Sequence, residues 1–176
     1  MPLEANLLPG GITFLSRKYG FSCDNVYGYE VVLASGQVIY VTEKSYPDLW
    51  LALKGGSNNF GIVTRFDVAT FSQEKIWYSL LQYNYTDSVL QAQAEAFSKF
   101  MDPTKYDPDA MMGVILDYTS SGFSVIDIMW YTEEVANPPV YNAFTKIPNQ
   151  VGVAELMTTD KVVETFGQAI PASENR

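Results

Sequence analysis

Apolar positions along the chain recur at two spacings, and the changes of spacing set out its elements. Tyr29–Ala34 and Gln37–Thr42 are runs of branched and aromatic residues around the dipeptide Ser35-Gly36, a pattern that predicts a β-hairpin. Next come Ser45 and Pro47, then Leu49, Trp50, Ala52 and Leu53 at helical spacing. They predict a helix capped by Ser45, opened by the proline and stopped at Gly55-Gly56. A polar loop, Ser57-Asn58-Asn59, leads into Phe60–Val68, which reads as a strand whose entry glycine, Gly61, marks a place of close backbone approach. Upstream, Ile12–Gly20 reads as a short helix closed by Gly20, and Ser22-Cys23-Asp24-Asn25 as a turn. Residues 1–9 carry no strong pattern.

After Phe71 the texture changes. Lys75–Tyr85 predicts a strand, Asp87–Met101 a helix capped by Asp87, and Met111–Tyr118 and Phe123–Tyr131 two strands around Thr119–Gly122. Pro138–Lys146 predicts a short helix, Val151–Met157 a strand and Asp160–Phe166 a last helix. The order β-α-β-β-α-β-α is that of a ferredoxin-like split unit with one extra helix. The expected class is therefore α+β. Residues 1–72 form a small α/β unit, and residues 73–176 an antiparallel ferredoxin-like sheet with helices on one face.

Charge and composition narrow the chemistry. A net charge of −9 over 176 residues argues against nucleic acid or an anionic membrane surface as partner. No apolar run reaches the length of a membrane-spanning helix, and the start of the chain lacks the pattern of a signal peptide, so the expected compartment is cytoplasmic. The chain has no histidine and a single cysteine, Cys23. That removes the commonest general base, any Ser/His/Asp arrangement, an internal disulfide and a cysteine-rich metal site. No metal-spaced cluster is found, and Cys23 reads as a packing residue.

Three segments, GGITFLSRKYGFSCDN, YEVVLASGQVIYV and DLWLALKGGSNNFGIVTRF, together resemble the berberine-bridge-enzyme branch of the vanillyl-alcohol-oxidase superfamily. Its members are FAD-linked oxidoreductases with a PCMH-type flavin domain. The resemblance covers roughly residues 8–71, and the remainder, including NPPVYNAFTKIP, is similar to the first half of the family's substrate domain. It implies FAD as cofactor. Gly10 and Gly11 would lie against the flavin, Asp24 and Asn25 would shape the same loop, and Gly61, Ile62 and Val63 would contact the adenosine part. Pro9 stands where the family usually has another glycine. The family's first FAD subdomain, which carries the phosphate loop and the covalent anchor, would lie upstream of residue 1, so the chain is expected to be a truncated one.

Other residues keep two readings. Tyr118, Trp130 and Tyr131 lie on strands that face the flavin pocket in the family, yet alternating aromatics also simply pack a sheet. Asp117 and Asp127 could pair as carboxylates with one raised pKa, but solvated strand-face residues are the expectation. Asp107-Pro108-Asp109 and Glu133-Glu134 read as turn and surface chemistry. No catalytic residue is assigned. The expected function is hydride abstraction from a small organic substrate by an FAD-linked oxidoreductase. The alternatives are a cofactor-free cyclase or isomerase derived from that family, and a non-catalytic self-associating remnant. A homodimer or a complementing fragment is the expected partner.

Overall fold

The computed structural model describes residues 8–119, 122–148 and 150–169. The chain divides into two units at Ser72/Gln73, each with its own core. The class is α+β, built on two antiparallel sheets.

The first unit is a three-stranded sheet of β1 (Val26–Val32), β2 (Val38–Thr42) and β3 (Ile62–Val68), in the order β2-β1-β3. Helix α1 (Ser16–Tyr19) precedes it, and α2 (Pro47–Leu53) lies between β2 and β3. Val26, Tyr29, Val31, Ile39, Val41 and Leu53 form the buried core, with Leu49, Trp50, Val63 and Phe66 packed against it. The expected helix over 12–20 shrinks to its last turn. The Thr13 amide donates to Ser16 Oγ at 2.8 Å and the Leu15 amide to Thr13 Oγ1 at 3.2 Å, and such local bonds compete with helix formation. Ser45 is not the cap of α2. Tyr46 holds that position at φ 60°, while Ser45 Oγ donates to the Tyr40 carbonyl at 3.1 Å. The hairpin turns over 33–37, where the Leu33 amide donates to the Gln37 carbonyl and the Gly36 amide to the Leu33 carbonyl, both at 2.9 Å.

The second unit is a four-stranded sheet ordered β5-β6-β4-β7. Its strands are β4 (Ile76–Asn84), β5 (Ala110–Thr119), β6 (Gly122–Tyr131) and β7 (Gln150–Met157). This is the strand order of the ferredoxin-like unit. Helix α3 (Asp87–Phe100) and the short α4 (Asn142–Thr145) pack on one face. Trp77, Leu81, Tyr83, Val125 and Met129 of the sheet meet Ala96, Tyr141, Phe144 and Ile147 there. Helix α5 (Thr159–Ala169) closes the described chain and buries Val162. The cap of α3 is Thr86, whose side chain accepts the Val89 amide at 3.2 Å. Asp87 is the first helical residue rather than the cap. The segment expected as one helix over 138–146 is a 3₁₀ turn, Pro139–Tyr141, followed by α4. Among the described residues no helix is long and apolar enough to cross a membrane.

Candidate functional site

The entry to β3 is shaped by an irregularity in its pairing with β1. Glu30 pairs Arg65 while Val31 pairs Val63, so Thr64 is an extra residue on β3. A bulge of this kind bends the strand and re-aims the residues beside it. Thr64 Oγ1 donates to Glu30 Oε1 at 2.7 Å, fixing the bulge. Just before it, Gly61 runs at φ +139°, and a Cβ there would come 2.7 Å from the Val32 carbonyl oxygen and 2.8 Å from Val31 Cγ1. The close approach that the sequence marks at Gly61 is therefore made by the backbone of β1. In consequence Ile62 is left 69% exposed and Val63 half-buried.

Ile62 and Val63 line a groove of about 610 Å³ with Leu8, Val32, Leu33, Ala34, Asn58, Asn59, Phe60 and Gly61. The volume is in the range of small-molecule sites. Most of its lining side chains are apolar. The Asn58-Asn59 loop that also lines it is held by Asn59, whose Nδ2 donates to the Gly56 carbonyl at 2.7 Å. Among the described residues no lysine or arginine lines the groove. It can take an apolar ring with a hydrogen-bonding edge, and it offers no cation to a diphosphate.

Gly10 and Gly11 lie elsewhere in this unit, at φ +113° and +73°. Their carbonyls accept the amides of Cys23 and Ser22, both at 2.9 Å, which ties the loop to the 22–25 turn. Asp24 and Asn25 hold that turn from within. Asp24 Oδ2 accepts the Phe21 amide at 2.9 Å, and Asn25 Nδ2 donates to the carbonyls of Tyr19 and Phe21 at 3.0 Å each. Gly10, Gly11, Asp24 and Asn25 do not line the groove. Asn25 instead borders a smaller one of about 180 Å³, beside the stacked rings of Tyr19 and Phe71. The link between the glycine loop and the groove is Leu8, whose carbonyl accepts the amides of Gly55 at 2.8 Å and Ser57 at 3.3 Å. Cys23 is buried, and burial, then the charge of Asp24, pushes its thiol up. It is an unreactive packing group.

In the second unit Asp117 and Asp127 do not pair. Asp127 stands opposite Val114 and Asp117 opposite Ser124, an odd offset that puts the two on opposite faces. Asp127 is fully buried rather than solvated. Burial pushes its carboxyl up to about 6, against the pull of the hydrogen bond from Gln93 and of the nearby Tyr83 hydroxyl. Tyr118 is 70% exposed, with its ring 4.5 Å from that of Phe123. Tyr131 meets Tyr141 edge-on at 6.5 Å, and the Trp130 ring lies 6.3 Å from that of Tyr78. All three thus have packing neighbours. Asp109 accepts the Thr132 hydroxyl and Glu134 pairs with Lys75 at 3.9 Å, as turn and surface groups do. Among the described residues no cluster of His, Cys, Asp and Glu could hold a metal ion.

Sequence reasoning missed the hairpin wall Val32–Ala34, because a groove between two loops leaves no periodicity. It also missed Gln93, a polar residue on the inner face of α3.

No family model matches the chain. Over 156 residues it is 34% identical to the FAD-dependent monooxygenase tpcD of Cochliobolus heterostrophus. Over the same length it is 35% identical to the FAD-dependent monooxygenase FUP4 of Fusarium proliferatum. Each match takes in 89% of this chain and 30% of the relative, so the chain spans about a third of the length of these proteins. The solved structure of wild-type BBE-like 1 from Physcomitrella patens superposes with a TM-score of 0.75 at 23% identity, over 94% of this chain and 36% of that one. Along most of its sequence the chain is thus similar to FAD-dependent monooxygenases, and its fold is the one found in solved berberine-bridge-enzyme-like and VAO-type flavoproteins.

Proposed function

We propose that this chain supplies part of the cofactor site and part of the substrate site of an FAD-linked oxidoreductase that abstracts hydride from a small organic substrate. The kinship with FAD-dependent monooxygenases over 156 residues carries this reading. The groove supports it. Ile62, Val63 and Val32 offer apolar faces to an adenine ring, and the Asn58-Asn59 loop offers amide groups to its edge. With no lining cation among the described residues, the groove suits the adenosine end of FAD and leaves the diphosphate to be gripped from outside it. Gly10 and Gly11, in left-handed conformations that keep their backbone unhindered, are the second contact in this reading. FAD when bound supplies the hydride acceptor, and the protein supplies binding and orientation.

The test is a titration of FAD into the whole chain, followed by quenching of flavin fluorescence, beside an Ile62→Asp variant. Ile62 is exposed, so the substitution leaves the core intact. It should weaken binding by about tenfold or more, the equivalent of losing one buried aliphatic side chain. No quenching at saturating FAD overturns the cofactor reading for this chain. Equal binding by Ile62→Asp overturns only the assignment to the groove.

A further inference from the structure

The buried polar groups of the second unit converge on Asp127. It sits in β6 between Leu81 of β4 and Val114 of β5, with no exposed surface. Gln93, itself 2% exposed, reaches it from α3 and donates Nε2–H to Oδ2 at 2.8 Å. The remaining oxygens of this pair, Asp127 Oδ1 and Gln93 Oε1, are both buried and both lack a hydrogen-bond partner. Each is an acceptor, so neither can satisfy the other. A single proton placed between them would satisfy both.

We propose that in mildly acidic solution Asp127 is held as the neutral carboxylic acid in the folded protein, closing a two-bond acid–amide ring with Gln93 that latches α3 to the sheet, and that ionisation as the pH rises opens this latch. In the ring Gln93 Nε2–H donates to Oδ2, and the acid O–H on Oδ1 donates to Gln93 Oε1. Opening it releases the proton to solvent and returns two orphaned acceptors to the core, a costly state for buried polar atoms.

The surroundings favour the neutral acid. The groups facing Asp127 are Gln93 from α3, Leu81 and Tyr83 from β4, and Val114 from β5. Of these only Tyr83 titrates, and its ionisation is itself pushed far up by burial and then by Asp127. Its hydroxyl donates to the Phe144 carbonyl at 3.1 Å. No charged side chain contributes to the shift of Asp127, in which burial outweighs the bond from Gln93 and the nearby Tyr83 hydroxyl. A carboxyl whose folded pKa lies above its unfolded value adds stability in full below the unfolded pKa. That stability is lost as pH rises through the folded one. For a rise from 3.8 to about 6, the loss falls between about pH 4 and pH 6, and amounts to about a hundredfold in the folding equilibrium constant.

Asp127→Asn tests the latch, because an asparagine amide can make both ring bonds without a proton. Denaturant unfolding of the whole chain from pH 4 to pH 8 should show wild type losing about a hundredfold in folding equilibrium relative to Asp127→Asn, with the difference flat above pH 7. Parallel curves for the two proteins overturn the proposal. Infrared titration gives an independent reading that needs no variant to fold. The carbonyl band of a buried protonated carboxyl should persist in wild type at pH 5 and vanish with a midpoint near 6. Its absence at pH 5 also overturns the latch.

Discussion

Gly61 shows how one residue can satisfy a sequence rule for a reason the sequence does not reveal. Its position before a strand marks a close approach, and the backbone that approaches it is the carbonyl of Val32. Gly10 is the opposite case. It too has a positive φ, +113°, but a Cβ there would meet nothing within 4 Å. The two alanine variants should therefore separate. Gly61→Ala forces backbone against backbone at an unfavourable φ and should cost about 2–4 kcal/mol. Gly10→Ala meets only the conformational cost, about 1 kcal/mol. Thermal unfolding of both variants checks this, and equal shifts would refute the packing account of Gly61. Asp127 was illegible for a related reason. Val125, Asp127, Ile128 and Met129 are all buried, so β6 is covered on both faces and loses the alternation that tells an inward carboxylate from an outward one.

At the scale of elements, strands were easier to read than helix starts. Branched and aromatic runs located the seven strands found among the described residues to within a few residues, because pairing and burial reward those side chains wherever they fall. Helix starts turn on single hydrogen bonds, which composition ranks poorly. For α3 both Thr86 and Asp87 are good capping residues, and only the bond from the Val89 amide to Thr86 Oγ1 decides between them. Thr86→Ala should then destabilise the second unit by about 1 kcal/mol. Asp87→Ala, which removes a charge in the first turn, should cost about half as much or less at moderate salt. Helical content and denaturation midpoints of the two variants give the comparison. An inverted order would return the cap to Asp87. Ser45 fell to the same ambiguity: its hydroxyl serves the end of β2, leaving α2 to begin from a left-handed Tyr46 and a proline.

For the whole molecule, the expected partner can be argued from an edge. In the four-stranded sheet β7 pairs with β4 on one side and with no other described strand. It presents Val151 at 76% exposure and Val153 at 38%, with Glu155 as its only charge. An apolar edge strand of this length is a template for pairing with another chain. Against that works the net charge of −9, which makes copies repel one another at low salt and less so once the charge is screened. These two terms predict a specific pattern for the homodimer proposal. Light scattering should give a mass that rises with protein concentration, and more steeply in high salt than in low. Val151→Lys adds a charge to the edge at a position already in water, so it should hold the chain monomeric in both salts without changing its circular dichroism. A wild-type mass that stays monomeric across the series would remove self-association through β7, and a complementing fragment would remain as the partner to test on the same edge.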